Sequence, residues 1–251
     1  LCTRSCIALT VGGQSFVFSP KVDITKPQLI LIGGPTGTGK SNFGMQVALS
    51  QGVSRCVSTD TIRGVMRSFV PKEVSPALHR SSYAGEGDAL QNWRECCAVL
   101  EGSIESLVRF AMEQGVSLVV EGVHLVPSNK LLDQWKHAGG TAVGVLLTIP
   151  DSQSHENLML RRLGEEENLK AYVGRIRSIQ DEMIRLAESS KWLMIEQKLE
   201  PEPIEIVTSL LLEQNYGAKP VPDIDLDAKS DLDVSDLDAY QNYLKLVNII
   251  L

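Results

Sequence analysis

A chain of 251 residues has room for one large domain or a domain with appendages. Its apolar share of 43% can fill a core, its charged share of 22% is ordinary for a globular protein, and no apolar run approaches the ~20 residues of a bilayer-spanning helix. The formal charge of −7 is concentrated at residues 220–238, where seven aspartates accompany one lysine; the nearly neutral remainder argues against a nucleic-acid surface.

Leu1 stands where a start methionine would, so sequence upstream is expected, carrying any targeting signal. Residues 5–18, SCIALTVGGQSFVF, read as two short strands around Gly12-Gly13, a hairpin pattern. Residues 19–27 read as a linker closed by Pro27, so 1–27 forms an N-terminal hairpin and linker. A buried strand, QLILI (28–32), leads into a glycine-rich stretch and a helix over 40–50. Strand 54–58 and a helix from about 61 follow, the latter ending before Pro71. Residues 71–88 hold two prolines and read as an irregular crossing. Residues 89–114 repeat apolar side chains at three- and four-residue steps, which predicts a long helix. A strand with the turn beyond it over 116–125, helix 131–138, strand 142–149, helices 153–163 and 168–189, strand 191–196 and helix 203–215 complete a domain over 28–216.

Alternating apolar strands and helices predict an α/β chain, with a parallel five-stranded sheet covered by helices on both faces. Residues 217–251 read as an acidic tail with an apolar end, YLKLVNIIL, that suits docking on the domain or on a protein partner. Asp223, Asp225 and Asp227 are spaced as in a calcium loop, but Ala228 replaces the loop glycine and Val234 the final carboxylate, so a solvated tail is the better reading. Five cysteines, at 2, 6, 56, 96 and 97, show no metal-ligand spacing; reduced thiols in the cytoplasm are expected.

GPTGTGKS, residues 34–41, matches the phosphate-loop pattern G-x-x-x-x-G-K-[ST] at every fixed position, between an apolar strand and a helix. Backbone N–H groups of Gly34, Pro35's successor Thr36, Gly37, Thr38 and Gly39 are expected to curl around phosphates at the positive end of the helix. Lys40 would reach the outer phosphates of ATP, and Ser41 would hold Mg²⁺. No guanine-reading N-K-x-D stretch is present, and the strand SLVVEG ends in Glu121 alone, which favours a small-molecule kinase over a GTPase or motor ATPase.

Acceptor groups are expected at the carboxyl ends of neighbouring strands. Asp60 follows strand 54–58 and suits orientation of an attacking hydroxyl or support of Mg²⁺; Thr59 or Asp60 also suits helix capping. Arg63 and Arg67 share one helix face near that edge and point to an anionic acceptor rather than a solvated face. Glu121 and His124 of EGVH close the next strand; Glu121 suits an acceptor or a metal-bound water, His124 an anionic substrate or a plain turn. Arg161, Arg162, Arg175 and Arg177 lie where a lid would supply charge to the transferred phosphoryl, with one of each pair expected to be a bystander.

LIGGPTGTGKS, VSTDTIRGVMRSFV, LHRSSYAGE, VVEGVHLVP and YVGRIRSIQDEM, in this order over residues 28–190, resemble the 2-phosphoglycerate kinase family, in particular its plant-type branch related to low-phytic-acid proteins. The resemblance implies a P-loop kinase fold with a helical lid. It also implies ATP-dependent phosphorylation of 2-phosphoglycerate to 2,3-bisphosphoglycerate, with His79, Ser81, Tyr83 and His124 joining Arg63 and Arg67 at the acceptor. Arg161 or Arg177 is the expected lid arginine. Glu156-Asn157-Leu158 departs from the family's Glu-Arg-Phe, and the insertion after YAGE in plant relatives is absent. An inositol phosphate as acceptor, and a nucleotide-binding regulatory module with vestigial activity, remain open alternatives.

Overall fold

Seven strands and eight helices are seen in a computed structural model, which describes residues 7–11, 14–18, 26–81, 83, 87–163, 169–196 and 203–216. Strands β1 (Ile7–Val11) and β2 (Gln14–Phe18) pair antiparallel, as the hairpin pattern predicts. Residues 19–25 of the expected linker over 19–27, and the acidic tail with its calcium-like spacing and apolar end, lie outside the described residues.

The main sheet takes the order β4-β5-β3-β6-β7, all parallel. Its strands are β3 (Gln28–Gly33), β4 (Cys56–Ser58), β5 (Leu118–Glu121), β6 (Thr141–Thr148) and β7 (Leu193–Glu196). Strand β3 is the middle one, and every residue in it is buried. Successive side chains of a strand point to opposite faces, so its apolar run feeds two cores. Leu29 and Leu31 join Leu118, Val120 and Leu146 on one face, under α4 (Ala89–Glu113), α5 (Lys130–His137) and α7 (Leu169–Ser190). Ile30 and Ile32 join Val119 and Val145 on the other, under α1 (Lys40–Ser50) and α8 (Pro203–Tyr216). The fold is therefore the α/β sandwich the alternation predicts.

Helices α6 (Ser152–Leu163) and α7 follow β6 in the expected lid position. Two local readings change. Strand β4 spans only Cys56–Ser58, because Ser58 already turns the chain: its hydroxyl accepts from Asp60 N at 3.1 Å and caps α2 (Thr59–Arg67). The crossing at 71–88 contains one helical turn, α3 (Pro76–His79), started by a proline whose missing N–H costs nothing at a helix start.

No helix among the described residues is long and apolar enough to cross a membrane. Cys56, Cys96 and Cys97 are free thiols, whereas Cys2 and Cys6 lie outside the described residues.

Candidate active site

Register delivers the chemistry to one edge. Ile32 pairs with both Glu121 and Val145, so the turn after β3 opens beside the carboxyl ends of β5 and β6. Gly34 there has φ 146°, and a Cβ on it would stand 2.5 Å from the Leu147 carbonyl oxygen. Only glycine accommodates both. The loop then turns through Gly37 and Gly39, the latter left-handed at φ 72° and capping α1 with no side-chain acceptor. Inside the loop, Thr38 Oγ1 donates to Pro35 O at 2.9 Å, and the Lys40 ammonium donates to the same carbonyl at 2.6 Å.

Ser41 Oγ donates to Glu121 Oε1 at 3.1 Å. Glu121 is buried, and the hydroxyl that donates to it comes from the phosphate loop. A hydroxyl beside a carboxylate is a donor set for a hard cation that keeps waters and phosphate oxygens as its other ligands. No cluster of three or more His, Cys, Asp or Glu able to hold a metal occurs among the described residues, so a cation here would depend on the nucleotide as well.

Across the edge lies a cavity of about 200 Å³. Lys40, Asp60, Arg63, Arg67, His79, Ser81, Tyr83 and His124 all line it, drawn from α1, α2, the 71–88 crossing and the turn after β5. Asp60 sits in the first turn of α2 with its side chain 72% exposed, and neither it nor Thr59 is the helix cap. Its Oδ1 lies 3.9 Å from His124 Nδ1.

Arg63 is two residues further into α2 than the reading from residue 61 places it, and it is only 8% exposed. Its Nε donates to Leu78 O at 2.8 Å and its Nη2 to Arg80 O. Arg67 Nε donates to Leu78 O at 2.9 Å. Both arginines thus tie α2 to the crossing segment, a role the sequence pattern does not reveal. Neither forms an ion pair with a carboxylate among the described residues. Burial, then the neighbouring Arg67 charge, pulls the Arg63 pKa below its ordinary value. One guanidinium is buried and the other exposed, and both are fixed on the Leu78 carbonyl, an arrangement chemically suited to an anionic ligand.

His124 is nearly fully buried and shares a 3.1 Å hydrogen bond with Thr59 Oγ1. Gly122 makes that approach feasible: its φ is 154°, and a Cβ there would stand 1.8 Å from Thr59 Oγ1. Burial lowers the His124 pKa to about 4; Asp60 opposes this, while Arg63, Lys40 and Arg67 reinforce it. His124 is therefore uncharged near pH 7. The unfolded chain binds its proton more readily, so stability falls as pH drops from about 6.5 towards about 4. Urea midpoints at pH 7.5 and pH 5 should show a loss of about 2 kcal/mol from this one group, absent in His124→Gln. His155, also lowered chiefly by burial, contributes in the same sense and stays in both proteins, so the difference between their profiles isolates His124.

His79 bonds Val70 O through Nε2 at 2.7 Å while lining the cavity. Arg161 is exposed on α6 and does not line the cavity, and the Arg162 side chain lies outside the described residues. Neither member of the second arginine pair is idle. Arg175 donates to Tyr83 O and Gly87 O, at 2.7 and 2.8 Å, and Arg177 to Ile149 O and Pro150 O, at 3.2 and 3.1 Å. Arg177 does not line the cavity, but its charge and that of Lys40 both bear on His155.

His155 is absent from the sequence reading. It is fully buried, and its Nε2 meets Thr36 O at 2.9 Å, so α6 is fastened directly to the phosphate loop. One signal could have found it: Asp151, whose side chain accepts from Ser154 N at 2.6 Å and starts α6, places residue 155 on the turn next to the sheet edge.

No protein-family model matches the chain. Curated relatives do. The chain is 30% identical over 162 residues to the 2-phosphoglycerate kinase of Methanothermobacter thermautotrophicus, covering 59% of this chain and 52% of that one. It is 29% identical over 202 residues to the 2-phosphoglycerate kinase of Methanocaldococcus jannaschii, covering 75% and 64%. The match thus spans about half to two thirds of the length of these relatives. Among solved structures, shikimate kinase from Acinetobacter baumannii in complex with shikimate superposes with a TM-score of 0.50 at 14% identity, over 79% of this chain and 99% of that one. By sequence the chain is a relative of the 2-phosphoglycerate kinases, and its fold is that of the P-loop kinases.

Proposed function

We propose that the chain transfers the terminal phosphoryl group of ATP to a hydroxyl of a small anionic acid, and that this acid is 2-phosphoglycerate, giving 2,3-bisphosphoglycerate. The observation that carries the reading is the cavity beside the phosphate loop, where Arg63 and Arg67 present cationic groups without a carboxylate partner among the described residues and Asp60 of the same helix lines the same space. Its volume of about 200 Å³ falls below the ~300–1,000 Å³ of pockets for drug-sized ligands. That suits a small acid, and the names of the curated relatives support 2-phosphoglycerate over the alternative of an inositol phosphate.

Each residue then has a task. The loop from Gly34 to Gly39, with the start of α1, cradles the ATP phosphates, and Lys40 leaves Pro35 O for their outer oxygens. Ser41 and Glu121, with Asp60 through water, would hold Mg²⁺, which neutralises phosphate charge. Arg63 and Arg67 grip the acceptor's phosphate and carboxylate, with His79 and neutral His124 as further polar contacts. Asp60 accepts a hydrogen bond from the acceptor hydroxyl and aims its oxygen at the γ-phosphorus. The new P–O bond forms as the bond to the ADP oxygen breaks, and the hydroxyl proton passes to Asp60 or to the transferred phosphoryl. Arg177 is the better-placed lid arginine, since it already serves the backbone beside His155 and the phosphate loop, while Arg161 is exposed. Catalysis of this kind is mostly positioning and electrostatics.

ADP release, followed by a coupled assay, should rise on adding 2-phosphoglycerate and stay low with 3-phosphoglycerate or inositol phosphates. Stimulation by an inositol phosphate alone transfers the reading to that acceptor. No stimulation by any of them, with ATP still bound, removes the kinase reading in favour of a nucleotide-binding module.

A further inference from the structure

Tyr83 stands where the phosphate loop, the acceptor cavity and α7 meet. The Thr36 N–H donates to its phenolic oxygen at 3.2 Å. Its ring is 8% exposed and packs edge-on against Tyr172 of α7, with ring centres 6.1 Å apart and planes at 64°. Its carbonyl accepts from Arg175 Nε, also of α7. The same side chain lines the cavity that holds Lys40, Arg63 and Arg67.

The bond to Thr36 is unusual in its consequences. Thr36 lies in the loop whose N–H groups are the receptors for phosphate oxygens, and a buried N–H seeks a partner. Without nucleotide, that partner is a phenol belonging to the acceptor side. A phosphate oxygen arriving at Thr36 competes with the phenol for one N–H. Burial pushes the phenol pKa up, so the group keeps its own proton to give. Once the Thr36 N–H no longer fixes the phenol oxygen, its O–H can swing into the cavity that Tyr83 lines beside Lys40, Arg63 and Arg67, where an anionic group would accept it.

Building on the kinase reading, we propose that the Tyr83 hydroxyl changes partners during the cycle, from the Thr36 N–H in the free protein to the acceptor's anionic group once nucleotide is bound. Tyr83 thereby makes the two binding sites depend on each other. Nucleotide takes the N–H that pins the phenol oxygen, so the ring is free to re-aim its O–H at the acceptor, which then binds more tightly to the nucleotide complex than to the free protein. By thermodynamic reciprocity, the acceptor strengthens nucleotide binding by the same factor.

Tyr83→Phe tests this, since it keeps the ring and its contact with Tyr172. Binding of a magnesium complex of a non-hydrolysable ATP analogue is titrated first, without acceptor. The variant should bind it about two- to tenfold more tightly than the wild type, because no hydroxyl has to be displaced from Thr36. A merely structural role for Tyr83 predicts the opposite sign. Binding of 2-phosphoglycerate is then titrated with and without the analogue. In the wild type the analogue should strengthen it by at least about fivefold, and in Tyr83→Phe that factor should fall close to one. Unchanged or weaker nucleotide binding by the variant overturns the proposal, as does an undiminished coupling factor. A wild type that binds no 2-phosphoglycerate, with the nucleotide effect intact, supports the exchange at Thr36 and overturns the choice of acceptor instead.

Discussion

Asp60→Asn lowers kcat by about 10²–10⁴-fold, the range expected when a positioned acid–base group is lost, and leaves the nucleotide Kd within a few-fold. The substitution is nearly isosteric. The side chain is 72% exposed, so no core contact is lost, and α2 keeps its cap because Ser58, not Asp60, supplies it. The alternative role for Asp60 is an acid in the first turn of a helix, favoured by the helix dipole. That role is worth about 0.3–1 kcal/mol of stability and nothing in turnover. The two readings therefore separate in one pair of measurements. Steady-state turnover at saturating ATP and acceptor should collapse, while the melting temperature moves by no more than a few degrees. A variant that melts slightly lower and turns over normally reduces Asp60 to the dipole role. His124 sharpens the comparison. It lies 3.9 Å from the carboxylate and is uncharged near pH 7, so it cannot replace the lost negative charge or trap it in an ion pair.

The sheet and the donor loop were legible because their signals are local. Strand β3 is buried on both faces and reads as an uninterrupted apolar run, and the phosphate loop needs its glycines, lysine and serine at fixed spacing. The cavity lining was also legible in outline: Asp60 and His124 fall just beyond strand ends, Arg63 and Arg67 share a face of the helix that follows, and His79 and Tyr83 came through the family resemblance alone. Their partners were not. Ser41 meets Glu121 across 80 residues, Thr36 meets Tyr83 across 47 and His155 meets Thr36 across 119. Such contacts leave no period in the chain. Arg63 shows the limit most clearly. As an arginine near a strand end it reads as a surface or ligand group, yet it is buried and spends two donors on carbonyls of the crossing segment. Helical spacing says which face a side chain shares; it does not say that a later segment of the chain will lie across that face and need its carbonyls satisfied. The start of α2 was misplaced for a similar reason. Ser58, Thr59 and Asp60 are all competent caps, and the choice among them depends on Thr59 being drawn inward against Gly122 and His124.

Lys40→Ala should lower kcat/KM by about 10²–10³-fold or more, the loss that follows removal of one preorganised charge aimed at developing negative charge. It should also abolish the rise in melting temperature that ATP and magnesium give the wild type. In the free protein the Lys40 ammonium is held on Pro35 O at 2.6 Å, inside the loop it serves. That position is a resting place for a cation whose partner is a phosphate, and a carbonyl is the weaker of the two acceptors. Alanine removes the cation and leaves the Pro35 carbonyl its bond from Thr38 Oγ1, so the loop retains one of its two internal ties. The free variant should thus melt close to the wild type, and the deficit should appear only with nucleotide. A second consequence follows from the same charge. Lys40 is among the cations that hold the His124 and His155 pKa values down. Without it both rise towards 6.5, the folded protein takes up protons at milder acidity, and less stability is lost between about pH 6.5 and pH 4. Lys40→Ala is therefore expected to be the less active protein at neutral pH and the less acid-sensitive one below it. A general disruption of the loop predicts lower stability at every pH, with no change in the slope.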